Sequence, residues 1–96
     1  MSYTIDEIKV IVIPIAKDYG IESISLFGSY AKGNATFDSD IDFIIDKGDL
    51  IGIKYFSLLE DLENAFDCKI DLITRGFSNK EFLNSIKKDE VLLYER

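Results

Sequence analysis

Leu26-Phe27-Gly28-Ser29-Tyr30-Ala31-Lys32-Gly33-Asn34-Ala35-Thr36-Phe37-Asp38-Ser39-Asp40-Ile41-Asp42-Phe43-Ile44-Ile45-Asp46 sets two apolar runs on either side of a polar loop. The first run, Ile24 to Phe27, reads as the end of a strand, and Gly28-Ser29 breaks it. Gly33 follows within the loop. Asp40-Ile41-Asp42 then leads directly into the second run, Phe43 to Ile45. Carboxylates two residues apart on a strand point to the same face. A glycine-bounded turn, able to bring backbone N–H groups near a phosphate, therefore sits just ahead of two parallel carboxylates. That pairing suits a triphosphate and its metal ion.

Gly28-Ser29-Tyr30-Ala31-Lys32-Gly33, followed by Ser39-Asp40-Ile41-Asp42, resembles the signature of the nucleotidyltransferase superfamily that includes DNA polymerase beta. The likeness is to its minimal nucleotidyltransferase (MNT) domains, whose pattern runs Gly-Ser-x-Ala-(Arg)-Gly, a short spacer, then Ser-Asp-(Ile/Leu)-Asp. Two elements must occur in order, at the right spacing, each at a strand boundary, so the composite is specific. It covers nearly the whole chain, and residues 1–96 read as a single domain. Lys32 stands where the family usually has Arg. It keeps the charge but lacks the planar two-point contact of a guanidinium.

Composition narrows the function classes. The chain has 96 residues, enough for one modest core that buries roughly 60–65% of the unfolded surface. Its apolar fraction of 47%, with seven Phe and five Tyr, excludes a disordered tail. A net charge of −7 repels nucleic acid unless a basic patch overrides it, and Lys87-Lys88 is followed at once by Asp89-Glu90. A polymerase on a long nucleic-acid substrate is therefore discounted in favour of a basic protein partner or a small cationic substrate. Cys68 is the only cysteine, so no internal disulfide forms, and the lack of histidine excludes a zinc site or a His-based triad on residue type. No apolar run approaches a membrane span, Met1-Ser2-Tyr3 opens no signal-peptide pattern, and a cytoplasmic location is expected. Without secretion, the glycosylation sequon Asn34-Ala35-Thr36 is a chance match.

Helix is predicted from Thr4 to Tyr19, with Thr4 and Glu7 as a capping box, Ile5, Ile8, Val12, Ile15 and Tyr19 as its stripe, and Gly20 as its stop. Pro14 removes one hydrogen bond, about 3 kcal/mol in a helix interior, and predicts a kink or an early end. Strands are predicted at Glu22–Phe27, Ile41–Asp46 and Cys68–Thr74, with a helical turn at Ser29–Lys32 and an edge strand at Val91–Tyr94. Asp49 reads as the N-cap of a helix from Leu50 to Phe66 that buries Phe56, Leu59, Leu62 and Phe66. Ser78 and Glu81 read as the capping box of a last helix, with Phe82 on its core side.

A helix between the second and third strands makes a β-α-β crossover, so those strands should be parallel and adjacent. The first should run antiparallel to the second. The fold class is α+β: a small mixed sheet of three core strands plus a short edge strand, covered on one face by helices, the polymerase beta-like nucleotidyltransferase fold. Gly28-Ser29, Asp40, Asp42 and Asp71 should then converge. Two carboxylates about 5 Å apart repel by roughly 3 kcal/mol at an effective dielectric near 20. A cluster of this kind binds a divalent cation or raises a pKa, and oxygen donors favour Mg²⁺ or Mn²⁺. Asp38 and Asp46 read as turn and strand-end residues.

The resemblance implies more. Asp40, Asp42 and Asp71 would hold two Mg²⁺ ions, with Asp71 also helping to deprotonate the attacking hydroxyl. Gly28, Ser29, Lys32 and Ser39 would bind the nucleotide, with ATP as substrate and pyrophosphate expelled. Stand-alone MNT domains pair with a helical HEPN protein, a ribonuclease toxin, as a hetero-oligomer, and neutralise it by transferring AMP to a tyrosine. Two rivals remain: nucleotidylation of a small molecule such as an aminoglycoside beside a separate helical subunit, and a non-catalytic module that neutralises its partner by contact.

Overall fold

A computed structural model describes residues 2–96. Its elements run α1 (Ile5–Tyr19), β1 (Ser23–Phe27), α2 (Gly28–Lys32), β2 (Ile41–Asp46), α3 (Lys54–Phe66), β3 (Ile70–Thr74), a 3₁₀ turn (Arg75–Phe77), α4 (Lys80–Ile86) and β4 (Val91–Glu95). The four strands lie in the order β3-β2-β1-β4. β1 is antiparallel to both β2 and β4, and β2 is parallel to β3, as the crossover requires. This is the mixed α+β sheet anticipated, with β4 at an edge.

α1 starts where the capping box places it. The Thr4 hydroxyl accepts from the Glu7 N–H at 3.1 Å, and the Glu7 carboxylate accepts from the Thr4 N–H at 2.8 Å. The helix ends at Gly20, left-handed at φ 65°. It does not stop at Pro14, however, and continues to Tyr19. Pro14 and Val10, whose carbonyl loses its partner, both face solvent, so water can take over that bond.

The main core lies between one sheet face and the pair α1 and α3. Ile8, Val12 and Ala16 of α1 meet Leu58, Leu62 and Phe66 of α3 over Leu26, Phe43 and Leu72 of the sheet. Burying each large side chain here contributes about 1.5–3 kcal/mol. A smaller contact forms on the reverse face, where Phe82 of α4 packs edge-on against Phe27 with centroids 5.7 Å apart.

Two helix starts differ from the expected ones. α3 begins at Lys54, because residues 50–53 form turns that bury Leu50 and leave Ile51 and Ile53 in solvent. Asp49 caps nothing there; its carboxylate accepts from Arg96 at 2.8 Å. The later start moves the buried stripe to Leu58, Leu62 and Phe66 and leaves Phe56 66% exposed. At α4 the cap is Asn79, which accepts from the Phe82 N–H at 2.7 Å. The Ser78 hydroxyl instead donates back to the Thr74 carbonyl at 3.0 Å, closing the turn after β3.

No helix among the described residues is long and apolar enough to cross a membrane.

Candidate active site

Strand alternation sorts β2 into two sets. Ile41, Phe43 and Ile45 enter the helix-covered core, while Asp42, Ile44 and Asp46 face the other way. In register, Asp42 lies opposite Asp71 on β3 and opposite Phe27 on β1. Gly28 follows Phe27 directly, so the start of α2 is delivered beside Asp42.

The approach is close enough to demand glycine. A Cβ on Gly28 would stand 2.1 Å from the Asp42 carboxylate oxygen Oδ2, and Gly28 has φ 73°, where side chains are strained. α2 closes at Gly33, also left-handed, whose N–H turns back to the Tyr30 carbonyl at 3.3 Å. Tyr30 anchors this short helix in the core and is only 4% exposed.

Asp42 carries the electrostatic strain of the site. Burial first, then the charges of Asp71 and Asp40, push its carboxyl from 3.8 up to about 6. Asp40, just ahead of β2, faces the Lys69 ammonium at 3.9 Å. The expected convergence is therefore realised for Gly28, Asp42 and Asp71. Asp40 lies near enough for its charge to act on Asp42, but no group of three carboxylates is gathered tightly enough to hold a metal ion directly among the described residues.

Ser29 is half-buried at the start of α2, and Lys32 is exposed at its end. The Ser39 hydroxyl is engaged within its own loop, accepting from the Thr36 N–H at 2.8 Å, and shapes the approach to Asp40. Asp46 is structural, as its strand-end position suggested. It accepts from the Ser23 hydroxyl at 2.9 Å and lies 3.5 Å from the Arg75 guanidinium. Two residues near the carboxylates went unread in the sequence. Lys69 was legible in principle, since pairing Ile41 with Ile70 puts it opposite Asp40. Tyr55, which reaches the β3 backbone, depends on where α3 begins.

The donor set is all oxygen, which suits a hard divalent cation. Burial and the neighbouring charges that raise Asp42 are what such a cation would offset. Asp42 and Asp71, with Asp40, are the residues that would hold it.

Residues 11–96 match the family model described as polymerase beta, nucleotidyltransferase. The chain belongs to this family. It is 40% identical over 94 residues to MJ1379 of Methanocaldococcus jannaschii, a protein provisionally named a protein adenylyltransferase, covering 90% of this chain and 94% of that one. In fold, the nucleotidyltransferase is similar to a chain in a crystal structure of a toxin–antitoxin with AMP-PNP, at 25% identity and a TM-score of 0.79, covering 92% of this chain and 73% of that one. It also has the fold of a chain in the complex of tri-AMPylated Shewanella oneidensis HEPN toxin with MNT antitoxin. There the TM-score is 0.74 at 22% identity, covering 97% of this chain and 74% of that one.

Proposed function

We propose that this nucleotidyltransferase moves AMP from ATP to a tyrosine hydroxyl of a HEPN-type toxin, in a hetero-oligomer, and thereby acts as its antitoxin. The observation that carries the reading is the pairing of Asp42 with Asp71 across parallel strands, with Gly28 packed on Asp42. The toxin–antitoxin and AMPylated-toxin likenesses support the partner class, and the adenylyltransferase relative supports the group transferred. The acidic surface suits a more basic, RNA-binding partner. Residues 1–96 form one minimal nucleotidyltransferase domain in this reading.

Asp40, Asp42 and Asp71 would hold two Mg²⁺ ions, for which Mn²⁺ can substitute. When bound, the ions supply positive charge to the phosphate oxygens and to the attacking oxygen. The chain's own part is placement. The backbone at Gly28 and the Ser29 hydroxyl hold the terminal phosphates, and Lys32 adds charge beside them. Ser39 fixes the loop that carries Asp40. Asp71 takes the proton from the tyrosine hydroxyl as its oxygen bonds to the α-phosphorus. The bond from that phosphorus to the bridging oxygen of the β-phosphate breaks in line, and pyrophosphate leaves with the electron pair. Positioning and charge carry most of such a transfer.

The test incubates the purified chain with the helical protein encoded beside its gene, ATP and Mg²⁺, and reads the partner's intact mass. A gain of one or more AMP units, absent with Asp40→Asn and Asp42→Asn, is the expected result. Inhibition of the partner without any gain would assign a contact-only module. Neither gain nor binding would point to a small-molecule acceptor.

A further inference from the structure

β3 is an outer strand, paired only with β2. In a parallel ladder successive peptide groups of one strand point alternately toward and away from its neighbour. The Ile41 N–H donates to the Lys69 carbonyl at 3.2 Å, so Lys69, Asp71 and Ile73 turn their carbonyls toward β2. Leu72 turns its carbonyl outward, off the open edge. That carbonyl is taken by the Tyr55 hydroxyl, which reaches it from the first turn of α3. The strand carrying Asp71 is thus held by a ladder on one side and, at the next residue, by a side chain on the other.

Asp71 has reason to move. It is exposed, and it faces the charge of Asp42 across the sheet. We propose that Tyr55 is a positioning residue for Asp71, fixing the open edge of β3 so that the carboxylate keeps its place opposite Asp42. This rests on the reading of Asp71 as a site residue. Burial, and then the charge of Asp71, raise the Tyr55 hydroxyl above its ordinary value, so it stays a donor at neutral pH. The Tyr55 ring packs edge-on against Phe56, with centroids 5.4 Å apart. Tyr55→Phe therefore deletes the bond and leaves the ring its packing.

The molecule supplies its own control. The Tyr3 hydroxyl donates to the Phe66 carbonyl at 2.6 Å, a bond of the same kind at the far end of α3. The experiment titrates Mn²⁺ in the presence of AMP-PNP, reading free Mn²⁺ by electron paramagnetic resonance, for the wild type, Tyr55→Phe, Tyr3→Phe and Asp71→Asn. Hydrogen exchange of residues 70–74 is followed in parallel. The expected result is about tenfold weaker Mn²⁺ binding in Tyr55→Phe, faster exchange at its β3 edge, a loss at least as large in Asp71→Asn, and no change in Tyr3→Phe. Wild-type affinity in Tyr55→Phe beside a weakened Asp71→Asn overturns the positioning role alone. Equal losses in Tyr55→Phe and Tyr3→Phe overturn it too, as a general loss of stability. Wild-type affinity in Asp71→Asn overturns the site reading itself.

Discussion

The two sides of β2 are made by the same six residues and obey opposite rules. On one side Ile41, Phe43 and Ile45 are each 0% exposed and pack under α1 and α3. On the other, Asp42 stands half open to water, and partial burial, then the charges of two further carboxylates, make its ionisation unfavourable. The apolar side contributes stability and has no chemistry. The acidic side carries the candidate site and lowers stability. Folding strength can thus be concentrated on one side of a strand to offset repulsion kept on the other, which is how small enzymes hold strained sites.

The sharpest way to break this division is Asp42→Asn. Losing that carboxylate should lower adenylyl transfer about 10³-fold, roughly 4 kcal/mol of barrier, with the fold intact by circular dichroism. Leu62→Ala attacks the opposite side. It should cost about 3 kcal/mol of stability, read as a lower urea midpoint with an unchanged slope, while the chain that remains folded keeps its affinity for Mn²⁺. Gly28→Ala tests the seam between the sides. With its Cβ driven against Asp42 and a left-handed backbone to maintain, it should lose about 2 kcal/mol of stability and most of the transfer rate.

The smallest effect is the most telling. In the folded chain the Asp42 carboxyl titrates at about 6 rather than 3.8, so folding favours its protonated form. That contribution is fully present below about pH 4 and is lost as pH rises through 6. Two units correspond to about 3 kcal/mol, and solvent screening at this half-open position reduces it to about 1 kcal/mol. Without divalent cation, Asp42→Asn should therefore be about 1 kcal/mol more stable than the wild type at pH 7.5 and no different at pH 4. Equal melting curves at both pH values would show that the acidic side lowers stability by nothing measurable.

What the sequence revealed follows the same division. β2 has the bounds that its apolar run sets, and the partnership of Asp42 with Asp71 follows from one crossover and strand alternation. These are local patterns or consequences of general handedness and pairing rules. The start of α3 was not legible, because it turns on contacts distant in sequence. Asp49 is claimed by Arg96 and Leu50 by the core, so neither can open a helix. Phe56 was misplaced in consequence, since counting back from Phe66 by threes and fours also reaches Phe56, while the burial runs through Leu58. Asn79 displaced Ser78 as the cap for a similar reason, with the Ser78 hydroxyl already committed to Thr74. At the site, the placement of Asp40 was the part that pattern alone could not settle. The cation that faces it arrives just ahead of a different strand.

The parallel pairing of β2 with β3 also bears on the order in which the molecule assembles. β1, α2 and β2 are joined by short connections and can pair early, bringing Gly28 to Asp42. Asp71 arrives only after the whole crossover through α3 has closed, and such non-local pairing is slow. A partly folded chain therefore presents Asp40 and Asp42 without Asp71, and the candidate site is complete only when β2 has paired with β3 across the crossover. On the proposed reading, competence for chemistry becomes a readout of that pairing, so a nascent or damaged copy would be inert rather than indiscriminate.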